Sequence, residues 1–291
     1  MTTRGLLKSL SGSRLWQMRR FLILGHSAPV HPDFHLNDLP GGAGRLDVLC
    51  RAIGATLMLS HGIRRDVETI LLLQDSVRIG IAGDRVKRLN PDERSTAALI
   101  RRALSMLADE EIQSTPGIYV SRCTTEEAIR RTVEEGASPV VLDEAGQSFE
   151  SFDCPLDPLF ILSDHTDFTE QEIALQEGMP RVSLGPTPLH ASQAITITHY
   201  LLDRDEQARA DQVRSEDLVL AHKVWGEPKA LMIKGLLEDF GVPVNLVTHA
   251  TPSVYPMVID GLAEVRLMVR SQDVDRVRQI IADYYEPTCE T

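Results

Sequence analysis

The 291-residue sequence predicts an α/β protein with a mainly parallel sheet covered on both faces, followed by a small ferredoxin-like α+β domain. Three observations carry this. Short apolar runs end at small residues: Phe21–Leu24 at Gly25, Leu159–Leu162 at Ser163, and Arg181–Leu184 at Gly185. Helix-start signatures fall between them, at Thr124-Thr125-Glu126-Glu127 and Thr169-Glu170-Gln171-Glu172. After a charged stretch without apolar periodicity, a βαββα pattern spans 218–291.

Taken in order, Phe21–Leu24 reads as a buried strand, and His26–Gly44, rich in Pro, Gly, Asn and Asp, as a long loop. Leu46, Leu49, Cys50 and Ile53 recur at helical spacing and predict a short helix from Arg45 to Ile53. Leu57–Leu59 and Thr69–Leu73 are β-like. Val77–Ile81 alternates, Ala82-Gly83-Asp84 turns, and Val86–Leu89 returns, which predicts a hairpin. Asn90-Pro91-Asp92-Glu93 predicts a helix to Ala108 with Asn90 as N-cap. Strands follow at Ile118–Val120, Pro139–Leu142 (with Gly146 as a turn), Leu159–Leu162 and Arg181–Leu184. Helices are expected after Thr124 and Thr169 and from Leu189 to Leu202. Residues 204–217 read as a linker or helical extension. Beyond them come strands at Leu218–Val224, Pro243–Val247 and Val265–Val269, with helices at Pro228–Phe240 and Asp273–Tyr284.

Charge is unevenly distributed. The net charge is −12, yet residues 1–102 carry about +7 and residues 103–200 about −13. A basic first third on an acidic chain suits a localised phosphate-binding face, and equally suits solvated helix faces. No apolar stretch approaches the length of a membrane span, and residues 1–17 read as a short arm rather than a signal peptide. Cys50, Cys123, Cys154 and Cys289 form no CxxC pair, so a reducing cytoplasm is expected, with neither zinc site nor disulfide framework. His26, His31 and His35 lack the spacing and partners of a metal motif, and no metal is expected.

Two strand ends, Ser163-Asp164-His165 and Ser183-Leu184-Gly185-Pro186, are candidates for a ligand site, because ligands of open α/β sheets bind beyond the strands' carboxyl ends. A glycine after a strand is more often only a turn. The Phe34–Asp47 loop collects polar groups and glycines, as a site would, but lacks GxGxxG spacing and also reads as a surface loop before a capped helix.

Several segments in series resemble one family. FLILGHSAPVHPDFHLNDLPGGAGRLDVL (21–49), LNPDERSTAALI (89–100), PGIYVSR (116–122), PLDPLFILSDHTDF (155–168) and RVSLGPTPLHA (181–191) resemble the archaeal tRNA pseudouridine-54 N1-methyltransferases and their bacterial relatives. The resemblance covers residues 19–203 and implies a SPOUT-type domain (1–203) with a C-terminal trefoil knot, related to the ribosome-assembly enzyme Nep1. It also implies S-adenosylmethionine as cofactor, RNA, most simply tRNA, as partner, and a homodimer. Where the family reads LGDHxGF, this chain reads Leu162-Ser163-Asp164-His165-Thr166-Asp167-Phe168, and Ala194 stands where the family often carries cysteine. The residues expected at the cofactor are Leu142, Ser163, Ser183, Leu184, Gly185, Pro186, Thr187, Pro188, Leu189 and Ala194.

N1 of pseudouridine becomes a good nucleophile only as its proton leaves, so a positioned carboxylate is useful. Asp38 and Asp47 are the candidates, Asn37 would read the base edge, Arg45 would hold phosphate, and Arg94 is a further RNA-binding candidate. Asp47 equally suits a helix cap. The C-terminal part resembles a small bacterial family assigned to signal transduction, on Ala221-His222, the Lys229–Phe240 helix and Gly241-Val242-Pro243. Its acidity points to protein contact or regulation rather than RNA binding. The alternative to an enzyme is a non-catalytic knotted dimer that binds RNA or protein.

Overall fold

The computed structural model describes residues 18–216, 218–248 and 264–285. The expected N-terminal arm and Cys289 lie outside the described residues. The chain divides into two compact units, 1–206 and 207–291.

The first unit is built on an eight-stranded sheet. Its strands are β1 (Arg19–Gly25), β4 (Val67–Leu73), β5 (Val77–Ala82), β6 (Ile112–Thr115), β7 (Ile118–Arg122), β8 (Ser138–Ser148), β9 (Pro158–Ser163) and β10 (Arg181–Ser183). The order is β10-β8-β9-β1-β4-β5-β7-β6, and a small separate ribbon pairs β2 (Met58–Leu59) with β3 (Gly62–Ile63). From β10 through β4 every pairing is parallel; from β4 to β6 every pairing is antiparallel. The fold is mixed α/β with a large, mostly parallel sheet.

Alternation along the strands explains the layers. Phe21 and Ile23 of β1 face one core with Leu71 and Leu73 of β4, and the helices α1 (Leu46–Leu57) and α2 (Glu93–Leu104) contribute Leu49, Ile53, Ala97 and Ile100 to it. Leu22, Leu24, Ile70 and Leu72 face the opposite core, where α3 (Thr125–Glu134) supplies Ala128 and Ile129. A sheet buried on both sides has no polar face, which is why these strands read as continuous apolar runs. Both expected helix starts form complete capping boxes, Thr124 with Glu127 and Thr169 with Glu172, the latter opening α4 (Glu170–Leu175).

Three local expectations need correction. Val86–Leu89 is not a returning strand: Val86 N–H donates to Ala82 O at 2.8 Å, a tight turn, and Arg88 has φ 64°. Val86 and Leu89 are buried as loop anchors, so their alternation reported burial rather than pairing. β5 instead pairs with β4 and β7. The cap of α2 is Asp92, not Asn90, with its carboxylate accepting from Ser95 N–H at 2.7 Å. Gly146 is not a turn but lies inside β8, where a Cβ would stand 2.5 Å from the Arg181 and Val182 backbone. The helix after the last strand is α5 (Ala191–Glu216), so of the two readings of the charged stretch, linker or helical extension, the structure shows the extension.

The second unit pairs β11 (Leu218–Trp225), β12 (Asn245–Thr248) and β13 (Glu264–Arg270) in the antiparallel order β11-β13-β12. Its own core joins Val224, Val265, Leu267 and Val269 to Ala230, Ile233 and Leu237 of α6 (Glu227–Asp239) and Val277 and Ile281 of α7 (Val274–Tyr285). Gly241 follows α6 at φ 75°, a conformation that favours glycine and ends the helix.

Candidate active site

Strand register brings the candidate cofactor residues to one edge of the sheet. Val141 of β8 lies opposite Ile161 of β9 and Arg181 of β10, and Ser163 lies opposite Leu24 of β1. Leu142, one residue past Val141, and Ser163, the last residue of β9, lie at about one level, and a register shift between Arg181 and Val182 sets Ser183 opposite Ser148, the last residue of β8, on the side where α/β sheets bind ligands. Leu142, Leu184 and Leu189 are half-buried against the same core that contains Ala194 of α5. Ser183 ends β10 and closes the next turn: its Oγ accepts from Gly185 N–H at 3.2 Å and lies 3.0 Å from Gly185 O. Gly185 has φ 144° and open space where a Cβ would project. Pro186, Thr187 and Pro188 are exposed, and the two prolines stop the sheet from extending. Three half-buried leucines and an open glycine turn offer the flat apolar contact and close backbone approach that suit an adenosyl group. These residues fit S-adenosylmethionine.

The substituted loop after β9 holds its shape without glycines. Neither Ser163 nor Asp167 has a positive φ. Ser163 Oγ donates to Thr166 O, closing the turn. The Asp164 carboxylate is buried and accepts from His165 N–H at 2.7 Å, Thr166 N–H at 3.0 Å and His26 N–H at 3.0 Å. His26, at the end of β1, also sets its ring between two carboxylates, with Nδ1 3.0 Å from Asp164 Oδ1 and Nε2 3.0 Å from Glu172 Oε2. No sequence spacing announces this cluster, because its partners are 138 and 146 residues from His26.

The loop between β1 and α1 carries the other candidates. Asn37 and Asp38 are exposed. Asp38 accepts from Gly41 N–H at 3.1 Å and Gly42 N–H at 2.8 Å, which folds the glycine turn around its carboxylate. Arg45 is the N-cap position of α1 with φ 61° and makes no side-chain cap bond. Its Nε donates to Asp47 Oδ1 at 3.1 Å, while Arg51 Nη2 donates to Asp47 Oδ2 at 2.8 Å. Asp47 is buried in the first turn. Burial alone would raise its carboxyl, but the two guanidinium groups outweigh that and hold it below the usual carboxylate range. Arg51, which sequence reading missed, also reaches Glu93 at 3.1 Å and ties α1 to α2, whose first turn bears the exposed Arg94.

Comparison with known proteins decides the family. The profile of a SAM-dependent RNA methyltransferase family matches residues 18–207. The chain belongs to this family. The match spans the first unit, and the loops at the carboxyl edge lie within it. The methyltransferase unit is 46% identical over 193 residues to the tRNA (pseudouridine(54)-N(1))-methyltransferase of Halobacterium salinarum, covering 64% of this chain and 96% of that protein. It is 44% identical over 201 residues to the protein of the same name from Methanocorpusculum labreanum, covering 66% of this chain and all of that protein. A weaker likeness, at 18% identity and TM-score 0.47, is to Archaeoglobus fulgidus Nep1 bound to S-adenosylhomocysteine, over 66% of this chain and 99% of that one. No helix among the described residues is long and apolar enough to cross a membrane.

Proposed function

We propose that the methyltransferase unit transfers a methyl group to N1 of pseudouridine 54 in tRNA, with the donor seated among Leu142, Ser163, the Ser183–Leu189 loop and Ala194. The observation that carries this is the 46% identity over nearly the whole length of a relative with that activity in its name. The same reading takes the β8–β10 region and α5 as a SPOUT-type trefoil knot, the working unit as a homodimer, and the compartment as cytoplasm.

S-adenosylmethionine, when bound, supplies an electrophilic sulfonium methyl. The chain's own residues prepare the nucleophile. Asp38 is the carboxylate that takes the N1 proton, because it is exposed and has no cationic partner among the described residues, whereas Asp47 is held ionised by Arg45 and Arg51 and makes a poor base. Asp47 instead fixes the Arg45 guanidinium, which with Arg94 faces phosphate, while Asn37 reads the base edge. Held among Leu142, Ser163, the Ser183–Leu189 loop and Ala194, the cofactor would supply the methyl group, and the proton displaced from N1 would pass to the Asp38 carboxylate, so that charge is conserved.

The test is incubation of the full chain and S-adenosylmethionine with tRNA carrying pseudouridine at position 54, followed by nucleoside mass spectrometry. N1-methylpseudouridine at that position is the expected product. Methylation confined to another position, or ligand binding without turnover, overturns the assignment.

A further inference from the structure

Neutral imidazole has one N–H, so it satisfies one carboxylate and presents a lone pair to the second. In this protein both ring nitrogens of His26 lie 3.0 Å from carboxylate oxygens, Asp164 on one side and Glu172 on the other. With both carboxylates ionised, both contacts are hydrogen bonds only if both nitrogens donate, which is the imidazolium form. We propose that the His26 imidazolium is a positioning residue, clamping the Ser163–Phe168 loop to the ends of β1 and α4, and that the clamp loosens when the ring loses its proton.

The clamp joins three elements. Asp164 is also the residue that shapes the loop, through the His165 and Thr166 N–H groups. Glu172 Oε2 also accepts from Thr169 N–H at 2.8 Å, so the carboxylate that caps α4 is the one that meets the ring. His26 N–H donates to Asp164 as well, so β1 grips the loop by backbone and by side chain. Burial disfavours charge on the ring, but the hydrogen bonds from Glu172 and Asp164 outweigh it and raise His26 above the usual histidine value. The charged and titratable groups around it are Asp164 and His165, whose Nδ1 is 3.4 Å from Asp164 Oδ2, together with Glu172 and, across a cleft, Asp75. That cleft, about 180 Å³ and walled by Leu24, Leu72, Thr125 and Leu175, runs along His26 and gives its proton a route to solvent. With the folded value raised, the contribution is full below the unfolded histidine pKa and is lost as pH rises through the folded value. Because the loop is part of the site assigned above, this inference rests on that reading.

The test uses the full chain with S-adenosylhomocysteine as probe. Affinity is measured calorimetrically from about pH 6 to about pH 9, alongside the His26 ring titration by NMR. Affinity is expected to fall roughly fivefold or more, with its midpoint on the His26 titration. Glu172→Gln keeps the capping hydrogen bond but removes the charge, so both midpoints should move to lower pH together. Affinity that is flat through the His26 titration, or a midpoint unmoved in Glu172→Gln, overturns the proposal. Amide exchange at His165 and Thr166 without ligand separates the two readings. Faster exchange in His26→Gln supports the clamp, and unchanged exchange overturns it. Failure of the wild-type chain to bind the probe at any pH, with exchange still responding, overturns the placement of the cofactor.

Discussion

His199 Nε2 lies 3.0 Å from the carbonyl oxygen of Thr56, joining the middle of α5 to the last turn of α1. The carbonyl can only accept, so Nε2 carries the hydrogen, and Nδ1 is left to accept from Arg19 Nη1 at 3.4 Å. Burial, followed by the Arg64 and Arg19 charges, pushes His199 down to about 3. The folded state therefore refuses a proton that the unfolded chain accepts, and the stabilisation, full above the unfolded histidine value, is lost as pH falls toward 3. Urea denaturation of wild type and His199→Gln should show this as about 2 kcal/mol of extra wild-type loss between pH 8 and pH 5. Parallel pH profiles for the two proteins would contradict it.

Phe160 is fully buried in a central strand and stacks on Phe21 with ring centroids 5.3 Å apart. Strands pack it from both sides, so the site cannot collapse around a smaller residue. Phe160→Ala is expected to cost about 3–5 kcal/mol in denaturant unfolding. A cost below about 1 kcal/mol would mean that this part of the sheet is not the core described here.

Gly146→Ala places a methyl against the backbone of Arg181 and Val182. The displaced strand would be β10, which leads directly into the Ser183–Leu189 loop. Overpacking here should cost about 1–3 kcal/mol, and affinity for S-adenosylhomocysteine should fall with it. Unchanged affinity by calorimetry would separate that loop from the cofactor site.

Asp38→Asn tests the general base while keeping one of the turn's two hydrogen bonds, since the amide oxygen can still accept from Gly41 or Gly42 but not from both at their present positions. Methylation of tRNA in single-turnover assays should slow about 10²-fold or more, with tRNA affinity retained. A full rate in this variant would remove Asp38 from the chemistry.

Much of the frame was readable in the sequence, because its causes are local. Phe21 to Leu24 is continuous because both faces of β1 are covered, and the capping boxes at Thr124 and Thr169 close within three residues. Errors arose where burial and pairing leave the same trace. Val86 and Leu89 are buried like strand residues but anchor a turn, and Gly146 resembles a loop glycine because close strand approach and a turn both demand the absence of a side chain. β6 was missed because its four residues carry one aliphatic side chain. At the site, the strand-end loops could be nominated individually, but their coming together on one side of the sheet depends on the pairing of β8, β9 and β10 and on the register shift in β10. The partners of His26 and of Asp47 are fixed by tertiary folding, and nothing in residue spacing foretells Arg51 beside Asp47 or Asp164 beside His26.

The strands at the two margins of the large sheet are short: β10 has three residues and β6 has four, and each pairs with its neighbour through a register shift. A margin strand offers unsatisfied backbone groups to any passing extended chain, and a long, flat one acts as a template for self-association. Here each template is only a few residues long and is broken by an irregularity. The wide apolar sheet that carries the methyltransferase chemistry is thereby protected from growing by edge addition.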